Sequence, residues 1–144
     1  MELKAYLHKV QYYETDQMQV VHHSNYIRWF EEARVDFMEQ MGKGYDKVEE
    51  DGIISPVVSI NCNYKTMTRF GESVYIITKI EDFTGVKFTI SYKVVDAVTK
   101  EVRATGESKH CFINKEGKIV SLKRVDKEYY ELFSSFVGVE SVIK

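Results

Sequence analysis

Two periods of hydrophobic and polar positions run along this chain. From Ala5 to Tyr13 a segment rich in Tyr, Val and Leu predicts a strand. A polar stretch, Glu14 to Gln19, and then Val20-Val21-His22-His23 separate it from a segment of a different period. Between Ser24 and Met41, Tyr26, Ile27, Phe30, Ala33, Phe37, Met38 and Met41 recur at three- and four-residue spacings. Arg28, Glu31, Glu32, Asp36 and Glu39 mostly occupy the remaining faces, so the pattern predicts an amphipathic helix. It would have about five turns and a length near ~27 Å at ~1.5 Å per residue. Ser24 or Asn25 is available as its cap and Gly42 as its stop, while no Glu or Gln stands three residues after either cap to form a capping box. After a polar connection the period drops to two. Strands are predicted at Pro56–Thr66, Ser73–Phe83, Val86–Val95 and Glu101–Asn114, with Val86, Phe88, Ile90, Tyr92 and Val94 on one face of the third. Turns at Thr84-Gly85, Asp96 to Lys100 and Lys115-Glu116-Gly117-Lys118 imply antiparallel neighbours, because a parallel crossover needs about a dozen residues. Asp126 to Phe136 predicts a short C-terminal helix.

The order is strand, long helix, then four strands: an α+β domain spanning residues 1–144, without repeats or linkers. One helix covers only one face of a five-stranded antiparallel sheet, and edge strands rich in Val and Ile need a partner. A dimer or larger assembly is expected, with edge strands pairing between subunits. At 144 residues the chain can bury a sizeable core without metal or disulfide. A net charge of −2 removes any global basic field for nucleic acid or anionic membrane, so an anionic ligand must be held by a local patch. No apolar run reaches the roughly 18 residues of a membrane span, and the alternating start lacks the apolar middle of a secretion signal. Cys62 and Cys111 lie in strand patterns without a Cys-x-x-Cys or Cys-His arrangement. They read as buried, reduced thiols of a cytoplasmic protein rather than zinc ligands.

The stretch from Val10 to Tyr26 carries the chemistry. A loop entering a helix presents free backbone N–H groups with a partial positive charge behind them. Such a terminus can polarise a carbonyl and hold the oxyanion formed on attack. Asp16, a few residues upstream, is placed to act as nucleophile or general base, and His23 to orient water, shuttle a proton or offer its amide.

Tyr-Tyr-Glu-Thr-Asp, Val-Val-His-His-Ser-Asn-Tyr and Phe-Glu-Glu-Ala-Arg together resemble the signature of the hotdog-fold acyl-CoA thioesterases, specifically the 4-hydroxybenzoyl-CoA thioesterase-like family and its YbgC-type branch. The resemblance extends through Pro56–Thr66, Arg69-Phe70-Gly71 and the strand containing Gly106, covering roughly residues 5 to 120. It implies a five-stranded antiparallel sheet wrapped around one long central helix. It also implies thioester hydrolysis without metal or organic cofactor, at sites between the subunits of a homodimer or homotetramer. It puts the catalytic carboxylate on Asp16 and the carbonyl-polarising amide on His23. Relatives commonly carry glycine where this chain has Gln19, which bears on the loop path and the acyl pocket.

Around this centre, Tyr26 can border the acyl pocket, although its stripe is core first. Asn61 and Asn63 share one strand face with Ser59 and Lys65, too polar for an ordinary core. Lys65, Arg69 and Lys87 are cations suited to the phosphates of coenzyme A. His22 reads as solvated or packed, diverging from His23; His8 and His110 read as structural and without carboxylate partners; Glu31, Glu32 and Arg34 read as a solvated or subunit-facing surface. Two other functions compete with acyl-CoA hydrolysis. One is hydrolysis of acyl carrier protein thioesters, the other non-catalytic acyl-CoA binding, against which the retention of Asp16 and His23 speaks. A hotdog dehydratase fits less well, since those relatives place a different His motif on the helix.

Overall fold

The computed structural model describes residues 2–144. Strands β1 (Tyr6–Lys9), β2 (Val57–Tyr64), β3 (Ser73–Phe83), β4 (Lys87–Asp96) and β5 (Val102–Cys111) form one antiparallel sheet. Their spatial order is β1-β3-β4-β5-β2. Helix α1 (Ser24–Met41) lies across it, and the short helices α2 (Tyr45–Glu50), α3 (Leu122–Val125) and α4 (Lys127–Ser135) complete the chain. This is the hotdog arrangement expected from the sequence, with the C-terminal helix present.

Helix α1 begins and ends where its period says. Tyr26, Trp29, Phe30, Ala33, Phe37, Met38 and Met41 are buried on one stripe, and Gly42 stops it in the left-handed region at φ 115°. The stripe rests on alternate residues of the central strands: Val74, Ile76 and Ile80 of β3, Phe88, Ile90, Tyr92 and Val94 of β4, and Ala104 of β5. Between helix and sheet, Phe30 stacks on Tyr92 with ring centres 4.4 Å apart and planes 6° off parallel. Gly106 makes that approach possible. A Cβ built there would stand 2.5 Å from both the Phe30 ring and the Asn61 carbonyl oxygen. Gly106→Ala is therefore expected to destabilise the fold by about 2 kcal/mol or more through overpacking, read as a lowered thermal midpoint.

Several elements depart from the pattern. The first strand does not run to Tyr13; it ends at Lys9, and Tyr12–Glu14 curl into a 3-10 turn that carries Glu14 inward. The polar connection after α1 contains α2, whose only buried residue is Val48. Residues 137–142 are not free chain: Gly138 N–H donates to the Ile80 carbonyl and Ser141 N–H to that of Thr78, while Val142 bonds Leu3 and Ala5. The tail thus lines the half of β3 that short β1 leaves open. Among the described residues, edge strand β2 has no such cover; Val58 is 65% exposed and Tyr64 49%. The thiols of Cys62 and Cys111 are free but only half-buried, a correction to the reading of full burial.

Candidate active site

The chain between β1 and α1 folds back on itself. Asp16 N–H donates to the Val20 carbonyl, Gln19 N–H to the Asp16 carbonyl, and Met18 N–H to Asp16 Oδ1 at 2.8 Å. The turn closes only because Gln19 takes φ 65°, a conformation glycine adopts freely and other residues at a cost of about 1–2 kcal/mol. Gln19, where the resemblance leads one to expect glycine, therefore takes the left-handed conformation that glycine would favour. Among the described residues, Asp16 Oδ2 has no hydrogen-bond partner.

Val20 then bridges to Arg69, Val21 N–H donates to the Thr68 carbonyl, and the chain enters α1 at His23. Neither Ser24 nor Asn25 caps the helix by accepting an amide. Instead the Ser24 N–H points to His22 Nδ1 at 3.3 Å, and Ser24 Oγ lies 2.9 Å from the same nitrogen. The His22 and His23 rings do not diverge; their centres are 4.1 Å apart. Among the described residues, the backbone amide of His23 has no acceptor. It is a free donor at the positive end of an 18-residue helix.

Asp16 and His23 line one open cleft of about 620 Å³, together with Val21, Tyr26, Tyr64, Lys65, Thr66, Met67, Arg69 and Arg103. Tyr26 is buried and its hydroxyl donates to Thr68 Oγ1 at 3.0 Å; burial pushes its pKa up. Tyr64 reaches back from the end of β2, donating to the His23 carbonyl at 3.1 Å and setting its ring edge against Tyr26. Lys65 and Arg69 are exposed and form no ion pair among the described residues. Arg103 differs: Asp96 at 3.0 Å, with Glu101 and Glu72 at 3.5 and 3.6 Å, neutralises it. Asp96 is held down to about 2 by the Thr99 amide first and by Arg103. Among the described residues, the cleft thus has one carboxylate with an unengaged oxygen, one unpaired helix-terminal amide and two cations without an ion-pair partner. A second cavity, lined by Tyr12, Tyr13, Gln19 and Phe70, also shares Asp16 and Arg69.

Other candidates lie elsewhere in the single chain. Asn61 and Asn63 point to the sheet face away from α1, in a shallow cavity with Ser91, Lys93 and Glu107, because their neighbours Ile60 and Cys62 take the core side. Lys87 opens β4 opposite Cys111, whereas the cleft adjoins the Tyr64–Ala104–Val94 end. Seven residues of strand, roughly 23 Å, separate Lys87 from Val94.

Three readings of the sequence are corrected. His8 does have a carboxylate partner, Glu14, at 2.8 Å. Arg34 is not solvated: it is 6% exposed and donates to the hydroxyls of Tyr45 and Tyr92. Glu14 itself, passed over as part of a polar stretch, is 3% exposed. Burial alone would raise its pKa, but hydrogen bonds from the Gln11 amide, His8 and the Trp29 indole outweigh that and leave it lowered.

Comparison with known proteins identifies the family. The chain belongs to the thioesterase-like superfamily, whose model matches residues 10–131. YneP of Bacillus subtilis (strain 168), provisionally named an acyl-CoA thioesterase, is 38% identical over 109 residues, 75% of this chain and 78% of that protein. A crystal structure described as a DHNA-CoA thioesterase from Staphylococcus aureus superposes with a TM-score of 0.87 at 32% identity, covering 94% of this chain and 91% of that one. The 1,4-dihydroxy-2-naphthoyl-CoA thioesterase Slr0204 from Synechocystis shares the fold at 16% identity, with a TM-score of 0.80 over 91% of this chain and 95% of that one.

Proposed function

We propose that the protein hydrolyses acyl-CoA thioesters, with Asp16 as nucleophile or general base and the His23 amide as carbonyl-polarising donor. The observation that carries this is the shared cleft: a carboxylate with an unengaged oxygen and, among the described residues, an unpaired helix-terminal amide both belong to its lining residues. A thioester carbonyl seated on the His23 N–H is polarised towards an oxyanion that this donor and the helix dipole stabilise. Either water adds to the carbonyl carbon as Asp16 takes its proton, or Asp16 attacks and water cleaves the resulting anhydride. In both routes the C–S bond breaks, coenzyme A departs as thiolate and acquires a proton, and the acid remains. The Ser24 amide contributes less, being already directed at His22 Nδ1. The His23 ring, stacked on His22 and edge-on to Tyr64, borders the departing group.

Lys65 and Arg69 hold the phosphates of coenzyme A at the cleft mouth, and Tyr26 borders the acyl chain. Lys87, Asn61 and Asn63 reach a site only through a second subunit, which fits an assembly closed through the bare β2 edge, dimeric or tetrameric. Unpaired cysteines suit a reducing, cytoplasmic setting. Hydrolysis of acyl carrier protein thioesters is the second reading, since two exposed cations also suit an acidic protein.

A thiol-release assay on acetyl-, hexanoyl-, palmitoyl- and benzoyl-CoA, run beside the corresponding acyl carrier protein esters, separates these. Turnover of carrier-protein esters alone reverses their order; turnover of neither leaves binding without catalysis. Lys65→Ala with Arg69→Ala is expected to raise KM for the acyl-CoA about tenfold and flatten its salt dependence, with kcat little changed.

A further inference from the structure

We propose that Asn25 is a positioning residue: it sets the plane of the His23 peptide and joins it to the Asp16 loop, a role that rests on the thioesterase reading above. Asn25 is the second residue of α1 and is 4% exposed. A capping side chain would accept from helix amides, but the Asn25 side chain donates. Its Nδ2 reaches the Glu14 carbonyl at 2.9 Å and the His22 carbonyl at 3.3 Å, and its own N–H meets the His22 carbonyl at 3.0 Å. Both acceptors are carbonyls, so the side-chain group facing them is the NH₂; Oδ1 turns to Arg28 Nη1 at 3.4 Å.

The consequence follows from peptide geometry. The His22 C=O and the His23 N–H belong to one planar, trans unit and point in opposite directions. Two donors from Asn25 on the carbonyl end aim the N–H away from Asn25 and polarise it further. This is the amide that lacks a partner. The other carbonyl that Asn25 grips, that of Glu14, also accepts the His22 N–H at 2.8 Å and stands two residues before Asp16. One buried amide group therefore fixes the distance between the oxyanion donor and the carboxylate. Glu14 supplies the anchor, its side chain being tied to Trp29 at 2.7 Å and to His8.

The test uses Asn25→Ala and Asn25→Asp in the full chain, assayed well below their melting temperatures on the best acyl-CoA of the panel. Both are expected to lose about 10²-fold in kcat from misplacement of the reacting groups. KM, and the Kd for free coenzyme A, should stay within about twofold of the parent. A purely structural asparagine would lower the melting temperature without that split. Activity aside, the ¹H–¹⁵N resonance of the His23 amide should shift in Asn25→Ala while amides in the last turns of α1 keep theirs. An unmoved His23 resonance, or a kcat within about threefold of the parent in a folded variant, overturns the proposal. Should Asp16→Asn retain full activity, the thioesterase assignment of Asp16 fails instead, and the His23 resonance still decides the role of Asn25.

Discussion

Asp16→Asn is expected to lower kcat for thioester hydrolysis by about 10³-fold, equivalent to about 4 kcal/mol of transition-state stabilisation. The substitution is conservative everywhere except in the chemistry. The Asn Oδ1 can still accept the Met18 N–H that closes the turn, so Gln19 and the loop keep their path. Lys65, Arg69 and the cleft walls are untouched, so KM should move by less than about threefold and the melting temperature by about a degree. What is lost is a carboxylate able to take a proton from water or to attack the carbonyl itself. Residual turnover should remain well above the uncatalysed rate, because the His23 amide still polarises the carbonyl. Hydrolysis of acyl-CoA at the parent rate by a folded Asp16→Asn chain would remove Asp16 from the mechanism. Isotope labelling of the parent enzyme separates the two routes. Single turnover of the parent enzyme in ¹⁸O-water leaves label on the Asp16 carboxylate only if that group attacks covalently.

Much of the fold was readable because it is local. The α1 period, ending at Gly42, and the alternation from Ser73 to Phe83 each depend on neighbours within one element, and both match the observed bounds. The sheet order was not readable. That β2 pairs with β5, and not with the next strand in sequence, is decided by register over long separations, Asn61 against Glu107 and Tyr64 against Ala104. α2 escaped notice because one buried valine makes no stripe. β1 ended early because Glu14 needs three donors at once, from Gln11, His8 and Trp29, and only a turn delivers it to them.

The candidate site divides in the same way. Asp16, His23 and Tyr26 lie within eleven residues of one another, so a contiguous motif could bring them to notice; the structure brings them, with Lys65 and Arg69, into one cleft. Tyr64 and Arg103 were passed over because nothing in their own segments says that β2 and β5 end beside α1. Arg34 was misjudged for a related reason. Its hydroxyl partner on β4 lies fifty-eight positions away, so the pattern offered no alternative to a solvated guanidinium.

That guanidinium begins the chain of groups behind the second large effect, a loss of stability of about 3 kcal/mol between pH 7 and pH 4. Arg34 donates to the Tyr92 hydroxyl, which lies 2.6 Å from Ser108 Oγ, which in turn lies 2.7 Å from His110 Nε2. His110 is 1% exposed, its ring stacks on Phe88 at 4.6 Å, and its Nδ1 faces the Ser55 carbonyl at 3.3 Å. Burial first, and the nearby positive charge of Arg34 second, lower its pKa from 6.5 to about 4. The sign follows from where protons bind. Below about pH 6.5 the unfolded chain protonates this histidine while the folded one keeps it neutral, so stability falls with pH until the folded group also titrates near 4. Glu14, Asp96 and Asp126, all lowered, act in the same sense but mainly from about a unit above their unfolded values of 4.5, 3.8 and 3.8 downwards. Among the shifted groups, His110 therefore dominates the interval from pH 6.5 to about 5, with Glu14 joining towards 4.5. Urea unfolding at pH 7, 6, 5 and 4.5 should show the decline, and His110→Phe, which keeps the stack on Phe88 and cannot titrate, should flatten it. An unchanged slope in that variant would assign the pH dependence to another group.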